Sequence, residues 1–450
     1  MKLYRKIEEK LYEWLNSQYA LLIYGSRQVG KTYIIKDFIN KNFESTYYLN
    51  LYERVDAIET LINSKDIDDF ILRLTAISDD DIKKDTCIFI DEIQEYYTYI
   101  QKNKIKKYFD IITASKFIVD SNKYRIVFSG SLLRLELDEV ISNPVGYMLS
   151  YKMFPLDFEE FLIANRVKKE LIDVVKDCFD NRKQIPDYLH YQLIDYYNKY
   201  LLVGGMPKAV NDYIENNSFI MVEQAHKAIE SFNRRDISKY AEDNEKLKIK
   251  EIYNLIASEL DSLSKRFIIS HIDNHNKNDN EQLSFSWLIS SGVAIPVYCV
   301  NEPKFPLAIS SVRNKLKLFH SDVGILTYLL MDSNAKTNLL NSNVNMNYGA
   351  IFENAAAQSM YAHGFDKLYY YNNKKNGEID FLLETGNKII PIEIKSGKDY
   401  NRHVALDNVM KIKEYDIKEA FIFYNENVRV KDNITYFPIY CIDFIRKRDL

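Results

Sequence analysis

Apolar residues Leu3, Ile7, Leu11 and Trp14/Leu15 recur at three- and four-residue spacing and mark one face of an amphipathic helix at the start of the chain. Short apolar runs follow at intervals: Ala20–Tyr24, Thr46–Leu51, Cys87–Asp91, Tyr124–Ser129 and Met148–Pro155 read as strands. Helix-like spacing lies between them, including Arg54–Thr75 and Ile105–Ala114. Alternation of this kind predicts a parallel sheet covered by helices, an α/β fold. From Phe158 to about Tyr240 the pattern turns helical, interrupted by Gly204-Gly205-Met206-Pro207. Polar stretches at His271–Gln282 and Asn341–Asn347 read as loops or boundaries. Beyond Tyr348 a helix is expected over Ala350–Ala362, then strands near Lys367–Tyr371, Glu378–Glu384, Lys388–Lys395 and Glu419–Phe423.

Composition narrows the class without naming it. At 450 residues, length alone suggests more than one domain, and 46% hydrophobic residues suffice for sizeable cores. A formal charge of −4 gives no global attraction to nucleic acid, so any basic surface must be local. Cys87, Cys178, Cys299 and Cys441 form no C-x-x-C pair, which argues against a zinc site and against a disulfide framework. Glu8, Glu9, Lys10 and Glu13 break any apolar leader at the N-terminus, and no run reaches the length of about 18 apolar residues that a membrane span needs. A cytoplasmic protein that does not engage a membrane is expected.

The strongest chemical signal is Gly25-Ser26-Arg27-Gln28-Val29-Gly30-Lys31-Thr32, a G-x-x-x-x-G-K-[ST] loop between an apolar strand and a helical pattern. Its glycines let successive N–H groups turn inward toward phosphate oxygens, and the helix start adds a positive dipole end. Lys31 is expected on the β- and γ-phosphates of ATP and Thr32 on Mg²⁺. The run Thr86-Cys87-Ile88-Phe89-Ile90-Asp91-Glu92 is a buried strand ending in two carboxylates. Asp91 is expected to bind Mg²⁺ through water, and Glu92 to orient or deprotonate the attacking water. The next strand ends in Ser129-Gly130-Ser131, where Ser129 is the choice for touching the γ-phosphate or the water and Ser131 the alternative. An arginine normally completes such a transition state; Arg27, Arg125, Arg134, Arg234 and Arg235 are candidates, each equally readable as a surface or ion-pair arginine.

A second constellation lies near the C-terminus. Glu378-Ile379-Asp380-Phe381 and Ile392-Glu393-Ile394-Lys395 read as two strands of a hairpin that brings Asp380 near Glu393, with Glu353 on the preceding helix. Two or three carboxylates with one lysine suit a Mg²⁺ site for phosphodiester hydrolysis, in which Asp380, Glu393, Glu353 and the Ile394 carbonyl hold the ion and Lys395 positions water or stabilises charge. A solvated charged face is the plain alternative. Lys374, Lys375, Lys398, Arg402 and His403 could contact a phosphate backbone or form a solvated rim.

With both constellations in view, the chain resembles a prokaryotic family of AAA-superfamily P-loop ATPases with a C-terminal restriction-endonuclease-like domain of unknown function. The resemblance rests on the Gly25–Thr32 loop, Phe89-Ile90-Asp91-Glu92-Ile93-Gln94, Phe128-Ser129-Gly130-Ser131, Phe154–Phe161 and Gly204–Pro207. It continues through Arg235-Asp236-Ile237, Trp287-Leu288, Lys317–Gly324, Phe352-Glu353-Asn354, Glu378–Phe381 and Glu393–Lys395. It implies a P-loop core over 1–157, a helical lid over 158–245, a winged-helix-like segment over 246–342 and the endonuclease-like domain over 343–450. It also implies DNA as a partner, with a homo-oligomer if an arginine acts from a neighbouring subunit. Relatives carry Gly-Arg before the fifth strand where this chain has Gly146-Tyr147, a departure expected to slow turnover unless another arginine substitutes. A nucleotide-driven switch or scaffold, binding without cutting, is the rival reading.

Overall fold

In this computed structural model the described residues are 1–78, 82–131, 146–240, 245–261, 267–268, 280–341, 349–397 and 399–447. They form two compact units: 5–154 with 290–292, and the remainder.

In the first unit, Cys87–Asp91 (β3) is buried at every position, as expected of a parallel strand covered on both faces. It lies with Ala20–Gly25 (β1), Thr46–Asn50 (β2), Arg125–Ser131 (β4) and Met148–Met153 (β5) in a parallel sheet of order β2-β3-β4-β1-β5. Leu22, Ile88, Ile90 and Phe128 from the strands pack with Phe70, Tyr96 and Ile112 from the helices and with Ile93 just before one of them. Each such side chain stabilises by about 1.5–3 kcal/mol relative to exposure.

Two helices depart from the expected spacing. The stretch 54–75 divides into Val55–Leu61 and Ile67–Ile77 because Asp66, in extended conformation, accepts the Asp69 N–H and starts a new helix. Residues 105–110 are not helical; Asp110 instead caps Ile111–Ser121 by accepting the Ile112 and Thr113 N–H groups. In both cases a local acidic cap decided where the helix begins.

The second unit joins helices to a mixed sheet. Its strands are Phe267–Ile268 (β6), Ala294–Val300 (β7), Ser311–His320 (β8), Leu368–Asn373 (β9), Gly377–Thr385 (β10), Lys388–Ile394 (β11), Ala420–Tyr424 (β12), Arg429–Lys431 (β13) and Ile434–Pro438 (β14). Their order is β13-β14-β12-β11-β10-β9-β7-β8-β6. The parallel β7–β9 pairing carries residues of the 246–342 segment into the same sheet as those of 343–450. Of the two expected boundary loops, 271–279 and 342–347 lie outside the described residues, while the chain is helical from Asn280.

The Gly-Gly pair at 204–205 has a packing role here. Asp322 caps the helix Val323–Leu330 and also accepts the Gly205 N–H at 2.7 Å. A Cβ on Gly204 would sit 2.7 Å from the Gly324 Cα, and one on Gly205 2.0 Å from the Leu156 carbonyl oxygen. Two backbone segments therefore cross at a distance that only glycine allows, while Pro207 opens the helix Pro207–Asn216.

Candidate nucleotide site and acidic cluster

The sheet order places the carboxyl ends of β1, β4 and β3 side by side, the crevice where open α/β sheets bind ligands. The loop leaving β1 carries positive φ at Gln28 (62°) and Gly30 (96°), and Gly30 leads directly into the helix Lys31–Asn42. Lys31 is buried and donates to the Gly25 and Ser26 carbonyls at 3.1 and 2.9 Å. Burial holds its pKa below the ordinary lysine value, against the pull of Glu92 and Asp91.

Asp91 is the hub. Its Oδ2 accepts Thr32 Oγ1 at 2.8 Å and the Tyr48 hydroxyl at 3.0 Å; its Oδ1 accepts the Glu92 N–H at 3.1 Å and the Ser129 hydroxyl. Thr32, Asp91 and Ser129 are thus brought together, with the Ser129 hydroxyl spent on the carboxylate. The Ser131 hydroxyl is buried and without a partner among the described residues. Tyr48 was not anticipated; it stands in the middle of β2, 43 residues from Asp91, and Lys36 lies over its ring at 3.2 Å. Thr32 and Asp91 offer the hard oxygen donors that suit Mg²⁺.

One arginine candidate lies far from the phosphate loop within its own unit. Arg125 begins β4, at the opposite end of the sheet from the loop, stacked over Trp14 at 4.6 Å and donating to the Trp14 carbonyl. Tyr147 likewise precedes β5, and its carbonyl accepts the Ala20 N–H where β1 begins. An arginine there would stand about 20 Å from the phosphate loop of its own unit, since six strand residues rise about 3.3 Å each. Arg27 stays at the loop, 6.0 Å from the Tyr52 ring; Arg134 lies outside the described residues. Arg234, in the second unit, pairs with Glu230 and Asn254, and Arg235 lies over Phe232.

In the second unit β10 and β11 pair antiparallel with Phe381 opposite Ile392, which sets Asp380 beside Glu393. Asp380 Oδ2 accepts the Ile394 N–H at 2.8 Å, and Lys395 Nζ donates to Glu393 at 2.8 Å. Glu353 and Glu393 are almost fully buried. Burial and the neighbouring carboxylates raise the pKa of Asp380; burial raises that of Glu393, with Lys395 opposing.

The residue that spacing missed is Lys317 on β8. It is fully buried, with Nζ 2.8 Å from Glu378 and 3.6 Å from Glu353. Burial alone would lower its pKa, yet Glu353, Glu378 and Asp380 hold it above the ordinary value. Four carboxyl groups, Glu353, Glu378, Asp380 and Glu393, therefore gather around two ammonium groups, Lys317 and Lys395, with Asp380 pushed toward its protonated form. Oxygen donors of this kind suit a divalent cation. In the sequence Lys315-Leu316-Lys317-Leu318 alternates like a half-exposed strand, so nothing local marks Lys317 as buried. Of the basic rim, Lys398 lies outside the described residues, and His403 is buried against Tyr436 and Asp407.

Among the described residues, the three-ligand set with donor atoms within 4.8 Å of one another lies elsewhere: Asp157, His363 and Asp443. Its oxygens are already used at a helix start. Asp157 accepts the Glu160 N–H, and Asp443 accepts the Phe158 and Glu159 N–H groups and the Ser359 hydroxyl. It reads as a buried cap for the helix Phe158–Ala164.

Among the described residues, no helix is long and apolar enough to cross a membrane. Residues 17–162 match the AAA domain family. Residues 194–336 and 348–442 match two domains of unknown function, DUF8612 and DUF4143. An uncharacterized protein of Methanocaldococcus jannaschii is 26% identical over 418 residues, covering 88% of this chain and 82% of its own. Among solved structures, a Walker-type ATPase of Pyrococcus abyssi is similar at 14% identity, with a TM-score of 0.39, covering 73% of this chain and 96% of that one. The Orc1 protein of Aeropyrum pernix in complex with DNA gives 11% identity, a TM-score of 0.27 and coverage of 76% and 93%. Residues 17–162, which match the AAA domain family, gather their phosphate loop and Asp91 at adjacent strand ends, the arrangement of a P-loop nucleotide-binding fold.

Proposed function

We propose that this protein is a cytoplasmic, Mg²⁺-dependent ATPase whose nucleotide state controls a C-terminal, nuclease-like, DNA-binding domain. The observation that carries the ATPase half is the hydrogen-bonded set of Thr32, Tyr48 and Ser129 on Asp91 beside Lys31. In this reading Lys31 swings from the Gly25 and Ser26 carbonyls to the β- and γ-phosphates, an exchange of neutral acceptors for charged ones. Thr32 and Asp91 hold Mg²⁺, which neutralises charge on the phosphates when bound. Glu92 takes the proton of the attacking water, Ser129 and Tyr48 keep Asp91 aimed, and Ser131 is the hydroxyl left to reach the γ-phosphate. An arginine from a second copy of the chain would complete the site in a homo-oligomer.

For the C-terminal half, Glu353, Asp380 and Glu393 would hold a divalent cation and Lys395 would act on water or phosphate. The functional parts proposed are 1–157, 158–245 as lid, 246–342 as linker and 343–450 as the DNA-facing domain. One observation favours the second reading, a switch that binds DNA without cutting: Lys317 already supplies a buried positive charge to the carboxylates that a metal would neutralise.

One experiment tests both halves: ATP turnover and cleavage of linear, nicked, branched and single-stranded DNA, measured together in Mg²⁺. Wild type, Lys31→Ala and Glu393→Ala are run in parallel. Loss of turnover in Lys31→Ala and loss of cleavage in Glu393→Ala support the enzyme reading. Turnover without cleavage of any DNA moves the second domain to the switch.

A further inference from the structure

Three features of the first unit that the ATPase reading leaves without a role meet at one point. Glu92 has a left-handed backbone (φ 56°), and its carboxylate accepts from the Gln94 side-chain amide. Gln94 is the first residue of the helix Gln94–Lys102 and is 1% exposed. Its other side-chain atom, Oε1, accepts the Ser131 N–H at 3.1 Å. The adjacent Ile93 N–H donates to the Ser129 carbonyl at 2.9 Å. Gly130 lies between these two bonds, and a Cβ there would stand 2.9 Å from Gln94 Oε1 and 3.2 Å from Ile93 Cγ2. One carboxamide thus spans from the carboxylate after β3 to the backbone at the end of β4, past residue 130, where a Cβ would press on it.

We infer that Gln94 is a positioning residue for ATP hydrolysis: its carboxamide aims the Glu92 carboxylate and ties that aim to the end of β4. The inference rests on the ATPase reading. A donor is required on the Glu92 side and an acceptor on the Ser131 side, and among side chains of this length only a carboxamide supplies both. The carboxamide engages one carboxylate oxygen, Oε2, so the other remains for the water. Misdirecting a base by about 1 Å costs on the order of 10²-fold in rate, whereas phosphate binding by the loop does not depend on Glu92. Gln94 contacts neither nucleotide nor metal in this account; it acts through Glu92.

The test uses the full chain with Gln94→Ala, Gln94→Glu, Gly130→Ala and the Gln94→Ala/Gly130→Ala pair, reading kcat and nucleotide affinity separately with a fluorescent ATP analogue. Gln94→Ala is expected to lower kcat on the order of 10²-fold at unchanged nucleotide affinity. Gln94→Glu sets two carboxylates against each other, so its kcat falls above neutral pH and recovers as the pH is lowered and the new carboxyl can donate a proton. Gly130→Ala presses on Gln94 Oε1 and lowers kcat alone, but adds nothing on top of Gln94→Ala. Unchanged kcat in Gln94→Ala, an equal fall in affinity, or additive effects in the pair would each overturn the inference. Wild type that binds ATP and never hydrolyses it would instead sink the ATPase reading, and this role with it. Should Gln94→Ala fail to fold, the pH profile of Gln94→Glu and the kcat of Gly130→Ala decide.

Discussion

Replacing Lys317 with methionine removes a buried ammonium while keeping a long, flexible, apolar side chain. The structure sets the scale. Lys317 is fully buried and its Nζ is 2.8 Å from Glu378 and 3.6 Å from Glu353, the latter also buried. Breaking a buried pair by deleting one partner leaves an uncompensated charge and costs about 3–5 kcal/mol. Urea unfolding in EDTA is expected to show a loss of that size for Lys317→Met. The variant's carboxylates then lack their internal cation and should take one from solution. Mn²⁺ at 100 times its dissociation constant returns about 2.7 kcal/mol, and the recovery should exceed the gain in wild type at the same Mn²⁺ concentration. Equal stability of the two proteins in EDTA would show that Lys317 is no counter-ion. A loss that Mn²⁺ leaves untouched would show that Glu353, Asp380 and Glu393 do not form a cation site.

Two further outcomes follow from buried groups. Gly205→Ala forces a Cβ to 2.0 Å from the Leu156 carbonyl oxygen, a backbone clash that no rotamer relieves; it should cost about 3 kcal/mol or more and lower the midpoint in thermal melts, and an unchanged midpoint would refute the crossing. Burial pushes the His320 pKa down to about 4, so the folded state refuses a proton that the unfolded chain takes below about pH 6.5. Stability should therefore fall as pH drops from about 6.5 toward 4, by about 3 kcal/mol from this group. The loss should shrink in His320→Leu, and identical pH profiles in urea melts would contradict it.

What the chain reveals on inspection depends on how local the chemistry is. The phosphate loop is eight contiguous residues whose glycines and helix start are all in view, and a strand ending in Asp91-Glu92 is marked by its apolar run. The pairing of Asp380 with Glu393 follows from strand alternation and a two-residue turn at Gly386-Asn387. Tyr48 was illegible because its place beside Asp91 depends on β2 lying next to β3, which no local pattern states. Lys317 was hidden for a similar reason. Only the β7–β9 pairing brings β8 into the sheet of the acidic cluster, across a stretch that reads as a domain boundary. Gly204 and Gly205 show in the sequence only as an interruption of a helical pattern; that their missing side chains make room for Gly324 and Leu156 depends on the tertiary crossing. The helix starts at 67 and 111 were set by Asp66 and Asp110, single caps that periodicity does not register.

Steady-state hydrolysis of ATP by wild type and Lys31→Ala, with Mg²⁺ and with EDTA, tests the central claim most directly. The account predicts Mg²⁺-dependent turnover in wild type and its loss in Lys31→Ala, because Lys31 is the group it places on the β- and γ-phosphates. Turnover that survives Lys31→Ala, or a wild type that neither binds nor hydrolyses ATP, would contradict it.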